Sequence, residues 1–280
     1  MVLTTPSSWL RSDNRVAIMG ILNVTPDSFS DGGLFLGVDK ALEQARLLIE
    51  AGADIVDVGG ESTRPGAAPV SRDEERARVI PVIAAIRSRF TVPLSVDTSD
   101  PMVMAEAVAA GADFINDVRA LTRPGALAAA LRLKVPVCLM HSRAEPGTMS
   151  KVDEGADVVA EVRTYLAERL ATCIAAGFDR RHIVVDPGFG FGKSLAENAA
   201  LMRALPEFVS LAPVLIGVSR KRMAGEPLGL PVGERLHSSI ALALAGVQAG
   251  ARIVRVHDVR ETREAVRMWE WIYEPKERVA

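Results

Sequence analysis

The stretch Ala51-Gly52-Ala53-Asp54-Ile55-Val56-Asp57 recurs as Ala110-Gly111-Ala112-Asp113-Phe114-Ile115-Asn116 and again as Ala249-Gly250-Ala251-Arg252-Ile253-Val254-Arg255. Each copy closes an Ala/Leu-rich segment of helical period and opens an apolar run. The glycine supplies the left-handed cap that ends a helix, and the small residues beside it let helix and strand pack closely. A helix–AGA–strand unit repeated along a chain is what a wound α/β fold requires.

Working outward from these copies, eight short apolar runs read as buried parallel strands: Val16–Leu22, Ile55–Gly59, Pro93–Val96, Phe114–Asn116, Val135–Met140, Ile183–Asp186, Val214–Val218 and Ile253–His257. Helical segments alternate with them at Asp39–Glu50, Arg72–Arg89, Pro101–Ala109, Gly125–Leu131, Asp157–Ala175, Ala196–Ala204, Gly233–Gln248 and Thr262–Tyr273. Eight such units predict an α/β single-domain (β/α)8 TIM barrel, for which about 250 residues is typical. A doubly wound sheet with a second domain is the alternative. No Pro/Ser/Gly-rich linker divides the 280 residues, so 15–275 form the expected barrel, with a lead-in at 1–14 and a tail at 276–280. Long loops are expected at 23–38, 60–72, 142–153 and 223–233.

Composition narrows the function classes. Hydrophobic residues make up 49% and aromatics only 5%, so Ala, Val, Leu and Ile must build the core. The formal net charge of −2 argues against a nucleic-acid coat or a basic membrane-surface protein, while leaving room for a local cationic site. No apolar run approaches the ~20 residues of a membrane span, and the first residues lack a signal-peptide pattern. Cys138 and Cys173 lie in apolar segments and read as small buried hydrophobes, which fits a reducing cytoplasm.

The carboxyl ends of the expected strands are polar: Asn23, Asp57, Asp97, Asn116, His141, Asp186, Ser219, Arg255 and His257. In a barrel these ends converge on one mouth, where active sites sit. Any single carboxylate among them is open to a structural salt-bridge reading. As a set, Asp97, Asn116 and Asp186 supply fixed acceptors suited to the amino-pyrimidinone edge of a bicyclic heterocycle. Lys221 can donate to a ring carbonyl, and Arg255 can stack on the ring or reach a phosphate.

Anion-binding chemistry lies around this set. Glu61-Ser62-Thr63-Arg64-Pro65-Gly66 places an Arg beside hydroxyls. Arg255 and His257 alternate on a strand and share a face. Asn23 offers a carbonyl oxygen to Mg²⁺, a hard ion that keeps several waters and the substrate phosphates. The loop Thr25-Pro26-Asp27-Ser28-Phe29-Ser30-Asp31-Gly32-Gly33 reads as a mobile lid. Pro187-Gly188-Phe189-Gly190-Phe191-Gly192-Lys193-Ser194 ends like a nucleotide P-loop, but Pro187 stands where that pattern needs glycine. It reads as an aromatic–glycine wall for a flat substrate. His182 and His237 fall outside the mouth and read as surface or packing residues.

These motifs together resemble one family. Met19-Gly20-Ile21-Leu22-Asn23-Val24-Thr25-Pro26-Asp27-Ser28-Phe29-Ser30-Asp31-Gly32-Gly33 resembles the first signature of the dihydropteroate synthases, and Gly59-Gly60-Glu61-Ser62-Thr63-Arg64-Pro65-Gly66 the second. Ser95-Val96-Asp97-Thr98, Asn116-Asp117-Val118, Asp186 to Lys193, Ser219-Arg220-Lys221 and Arg255-Val256-His257 match in family order. The resemblance runs over about 15–275, essentially the whole chain.

The resemblance implies a homodimeric transferase of folate synthesis, and the cysteine usage a cytoplasmic one. It would join 6-hydroxymethyl-7,8-dihydropterin diphosphate to 4-aminobenzoate, releasing 7,8-dihydropteroate and pyrophosphate, with sulfonamides as inhibitors. By resemblance, Asp97, Asn116, Asp186, Lys221 and Arg255 bind the pterin. Asn23, Thr63, Arg64, Arg255 and His257 hold pyrophosphate, and Asn23 ligates Mg²⁺. Pro65, Phe191, Ser219 and Lys221 border the aminobenzoate. Phe29 and Asp31 close over the site and, with Arg64, Arg255 and His257, form the catalytic set. Asp57 resembles a family strand-end acid without a defined role.

Two positions depart from the common family pattern: Ser142-Arg143-Ala144 after His141, and Arg222 after Lys221. A related pterin-binding methyltransferase barrel would not need Thr63, Arg64, His257 or the Asp31 lid. A catalytically silent pterin-binding paralogue is the non-enzymatic alternative, and the intact first and second loops argue against it.

Overall fold

The computed structural model describes residues 15–24, 33–61, 70–143 and 157–273. Within them eight parallel strands alternate with helices. The strands are β1 (Ala17–Asn23), β2 (Ile55–Gly59), β3 (Leu94–Asp97), β4 (Phe114–Asp117), β5 (Val137–Met140), β6 (Ile183–Asp186), β7 (Leu215–Ile216) and β8 (Ile253–Val256). The helices are α1 (Gly33–Glu50), α2 (Arg72–Arg87), α3 (Pro101–Ala110), α4 (Ala126–Leu133), α5 (Val158–Ala175), α6 (Leu195–Arg203), α7 (Leu205–Val209), α8 (Leu236–Gln248) and α9 (Val259–Tyr273).

The ladder runs β6-β5-β4-β3-β2-β1-β8-β7, and a parallel bridge between Val185 and Val214 brings β7 back to β6. The sheet therefore rolls into a nearly closed (β/α)8 barrel, not a doubly wound sheet. Alternation along each strand sorts the side chains. Val56, Val58, Ile115, Leu139 and Val185 face outward into a continuous shell with the helices. Ala17, Met19, Ile55, Phe114, Cys138, Val184, Leu215 and Ile253 fill the barrel's interior. Both cysteines are free thiols in apolar surroundings, Cys138 inside the barrel and Cys173 on the buried face of α5.

The repeated AGA unit has a physical basis at the lower end of the barrel. In the second copy, Arg87 on α2 donates to the Gly111 carbonyl and, at 2.5 Å, to Asp113, whose carboxylate also accepts Leu94 N–H at 2.9 Å. In the first copy, Arg263 on α9 donates to the Gly52 carbonyl and to Asp54, which accepts Ile18 N–H at 2.8 Å. Each Asp thus ties its own strand to the start of the preceding strand and to a helix packed beside it, α2 for Asp113 and the C-terminal α9 for Asp54. The third copy carries Arg252 in place of the acid.

Several boundaries differ from the sequence reading. α1 begins at Gly33 and not Asp39, because a glycine is tolerated where a helix starts although it reads as loop. α9 begins a turn early, at Val259, whose side chain is buried. The expected helix at Gly233 is a 3₁₀ turn, Val232–Glu234, ahead of α8. β7 has two ladder residues where Val214–Val218 was expected, since the chain leaves the sheet at Gly217 to carry Ser219 and Lys221 across the mouth. The expected lead-in 1–14, the tail 276–280, half of the loop 23–38 and most of the loops 60–72 and 142–153 lie outside the described residues.

Candidate active site

Above the apolar floor the inward positions turn polar. Asp57, fully buried, lies across from Ser95, and Asp97 from Asn116. Arg255 enters from β8. Its Nε donates to Asp57 Oδ2 at 2.6 Å and a terminal guanidinium nitrogen donates to Asp97 Oδ2 at 2.9 Å. Asn116 Nδ2 donates to the same Asp57 oxygen at 3.1 Å. The last residues of the three AGA copies, Asp57, Asn116 and Arg255, therefore meet at one carboxylate oxygen. Asp57 gains the role that sequence reasoning left undefined: it sits a layer below the strand ends and orients a cation and an amide above it.

Burial pushes the Asp97 carboxyl up to about 7, with the Arg255 charge pulling the other way. Burial also raises Asp186, opposed by Lys221 and by the Gly188 N–H that donates to it at 2.7 Å. Burial draws Lys221 down to about 8, opposed by Asp186. Lys221 Nζ donates to the Phe189 carbonyl at 2.6 Å and stands 4.4 Å from the centre of the Phe191 ring. Each of these ions is desolvated and held by neighbours of opposite charge, so a polar ligand edge would replace missing water.

Space for that ligand comes from two inward glycines. A Cβ at Gly59 would lie 3.4 Å from Asp97 Cβ, and one at Gly217 would lie 3.8 Å from Lys221 Nζ. On the far side of the mouth Ser219 Oγ and His257 Nδ1 are 3.1 Å apart, and Ser219 Oγ accepts His257 N–H. Asn23, exposed at the top of β1 beside Gly59, offers an uncrowded oxygen. One such oxygen suits Mg²⁺, which takes few protein ligands and keeps water and phosphate. Among the described residues no cluster of His, Cys, Asp and Glu forms a dedicated metal cage.

The mouth thus brings together Asp97, Asn116, Asp186, Lys221, Arg255, Ser219, His257 and Phe191. Phe29, Asp31, Thr63, Arg64 and Pro65 lie outside the described residues. His141 is a correction: it follows Met140 with its side chain turned to the helix layer, edge-on to Tyr165 and 3.3 Å from Glu161. Only one of the two loop phenylalanines borders the mouth, because Phe189 is fully buried in the outer shell. Both family departures are accounted for locally. Arg143 pairs with Glu161 and, at 2.6 Å, with Glu197, pinning the segment after β5 to α5 and α6. Arg222 pairs with Glu226 at 2.5 Å on the surface. Sequence reasoning missed Lys193 and Asn198, which grip the loop after β6. The lysine closes the family-matching run Asp186 to Lys193 but reads there as part of a false P-loop, with no role of its own.

This fold and site define a pterin-binding barrel enzyme, and a family model described as pterin binding enzyme matches residues 19–257. The chain is 52% identical to the dihydropteroate synthase of Escherichia coli K12 over 261 residues, 93% of each chain. The Xanthomonas albilineans dihydropteroate synthase solved with 4-aminobenzoic acid superimposes with a TM-score of 0.86 at 50% identity, covering 93% of this chain and 94% of that one. A Yersinia pestis dihydropteroate synthase solved with a sulfonamide drug gives 0.88 at 46% identity, covering 94% and 96%. The chain belongs to the dihydropteroate synthase family.

Proposed function

We propose that the chain condenses 6-hydroxymethyl-7,8-dihydropterin diphosphate with 4-aminobenzoate, giving 7,8-dihydropteroate and pyrophosphate, by dissociative displacement at the barrel mouth. The observation that carries this is the acceptor set of buried Asn116 and Asp186 with partly buried Asp97, facing Lys221 and Arg255 across a floor cleared by glycines. Asp186, Asp97 and the Asn116 carbonyl accept from the ring's amino and N–H groups. Lys221 donates to the ring carbonyl.

The diphosphate leaves from a methylene attached to an electron-rich ring, which can delocalise the developing positive charge. Arg255, with His257 and the loop residues Thr63 and Arg64, stabilises the departing anion in a water-poor site. Arg255 stays charged because Asp57 and Asp97 offset its burial. Asn23 would hold Mg²⁺, which when bound neutralises phosphate charge. Phe29 and Asp31, by the family resemblance, would serve as the lid that keeps water from the cation. The aminobenzoate is walled by Pro65, Phe191, Ser219 and Lys221. Its aromatic amine is neutral at pH 7 and needs no strong base to act as nucleophile. Closing of those loops would order the aminobenzoate site, so pterin diphosphate is expected to bind first.

The chain works as a cytoplasmic homodimer in this reading. An exposed apolar group at the end of α9, Met268, Trp271, Ile272 and Tyr273, supports a partner copy. Buried free thiols support a reducing compartment, and no helix of the described residues is long and apolar enough to cross a membrane. The test is product identity: with both substrates and Mg²⁺ the protein forms 7,8-dihydropteroate, and a sulfonamide competes with 4-aminobenzoate. Formation of no pteroate by folded, pterin-binding protein favours the silent paralogue.

A further inference from the structure

The false P-loop has a use of its own. Between Asp186 and Ser194 the backbone curls through Gly188, Gly190 and Gly192, all at positive φ. The curl points several carbonyls inward, and Lys193 turns back beneath them, only 5% exposed. Its Nζ donates to the carbonyls of Gly188 at 2.7 Å, Phe191 at 3.3 Å and His141 at 3.3 Å. An ammonium has three hydrogens, and here three oxygens match them. It has no donor left for a phosphate.

The loop so gathered is the one that governs Lys221. Phe189 presents its carbonyl to Lys221 Nζ at 2.6 Å, and Phe191 presents its ring. Gly188 lets the loop lie against β5, since a Cβ there would sit 1.8 Å from the His141 carbonyl oxygen. Asn198 on α6 completes the hold, accepting Gly190 N–H at 2.7 Å and donating to the Lys193 carbonyl at 3.2 Å.

We propose that Lys193 is a positioning residue for the reaction: by drawing the His141, Gly188 and Phe191 carbonyls together, it fixes the loop that aims the Lys221 ammonium into the mouth. The proposal rests on the reading that Lys221 binds the pterin. Removing the ammonium frees three converging carbonyls, which repel one another and open the curl. The Phe189 carbonyl and Phe191 ring then no longer set one position for Lys221, while Asn23 and His257 on other strands keep theirs.

The test compares Lys193→Met, Lys221→Met and the double variant, using calorimetry with 6-hydroxymethyl-7,8-dihydropterin and with pyrophosphate, alongside steady-state turnover. Lys193→Met is expected to weaken pterin binding at least about 10-fold and to raise the pterin diphosphate KM in parallel. Pyrophosphate affinity is expected to stay within about twofold. The double variant is expected to bind pterin within about threefold of Lys221→Met alone, because both changes break one contact set. Pterin affinity within twofold of wild type, parallel loss of pyrophosphate affinity, or a double variant losing the full product of the single effects would each overturn the proposal. Should Lys193→Met fail to fold, Asn198→Ala loosens the same loop from α6. It is then expected to lose about threefold or more in pterin affinity with pyrophosphate affinity preserved, and unchanged pterin affinity overturns the idea. A wild-type protein that releases no pyrophosphate would sink the functional reading, while the pterin calorimetry still decides the role of Lys193.

Discussion

Asp57 on β2 holds Arg255 on β8 through a 2.6 Å hydrogen bond to Nε, with β1 between the two strands. This pair sets the angle from which the guanidinium meets both Asp97 and a ligand above it. Asp57→Asn removes the buried charge and leaves Arg255 with Asp97 alone. Losing a charge-assisted bond of about 1.5–3 kcal/mol corresponds to a turnover loss of about 10- to 100-fold. Steady-state kinetics within twofold of wild type would show that Asp57 does not orient Arg255.

Asp186 is predicted to accept from the pterin edge. Asp186→Asn replaces an acceptor-only group with one that also donates, so one N–H meets an N–H of the ring. Pterin affinity should drop about 10-fold or more, read by calorimetry at pH 7.5. Unchanged affinity would remove Asp186 from the pterin site.

At the opposite end of the barrel, Asp113 joins Arg87 and the Leu94 N–H. Asp113→Ala should cost about 1–3 kcal/mol of stability by denaturant unfolding, with kcat unchanged. Conservation of stability would mean the repeated acid is incidental. A lower kcat in fully folded protein would couple the barrel's two ends.

His141 gives a pH signature. Burial, with the Lys193 charge adding to it, draws the imidazole from its usual 6.5 down to about 4, against the pull of Glu161. The neutral ring thus contributes stability that is complete above about 6.5 and is lost as pH falls toward about 4. A shift of this size amounts to at most about 3 kcal/mol. His141→Phe keeps a ring against Tyr165 and removes the titration. Its unfolding free energy should fall less than that of wild type between pH 7 and pH 4.5. Parallel curves would assign the acid sensitivity to its titrating neighbours Glu161 and Lys193, since Arg143, the other charge facing it, stays protonated throughout.

Helix–strand alternation was legible because it is local: the AGA copies, the apolar runs and the capping glycines each speak through a few neighbouring residues. The mouth was legible for the same reason, since strand ends can be read once strands are. What stayed hidden was side-chain direction and long-range pairing. His141 reads as one more polar strand end, yet alternation turns it outward to α5. Asp57 and Arg255 are 198 residues apart, and nothing local links them. Lys193 was masked by a motif from another fold, and only the curl of the glycine loop shows that its targets are carbonyls. The two AGA acids, Asp54 and Asp113, recur in the sequence, but their arginine partners come from helices with no repeat of their own.

Pyrophosphate release tests most directly whether Arg255 draws pyrophosphate from a bound pterin diphosphate, leaving a cation that the aminobenzoate nitrogen captures with loss of a proton to water. Wild type and Arg255→Ala are compared with pterin diphosphate, 4-aminobenzoate and Mg²⁺ in a continuous assay. Wild type is expected to show sustained release that depends on aminobenzoate, and Arg255→Ala a loss of about 100-fold or more. No release above background from folded wild-type protein, or near-normal release from Arg255→Ala, would contradict it.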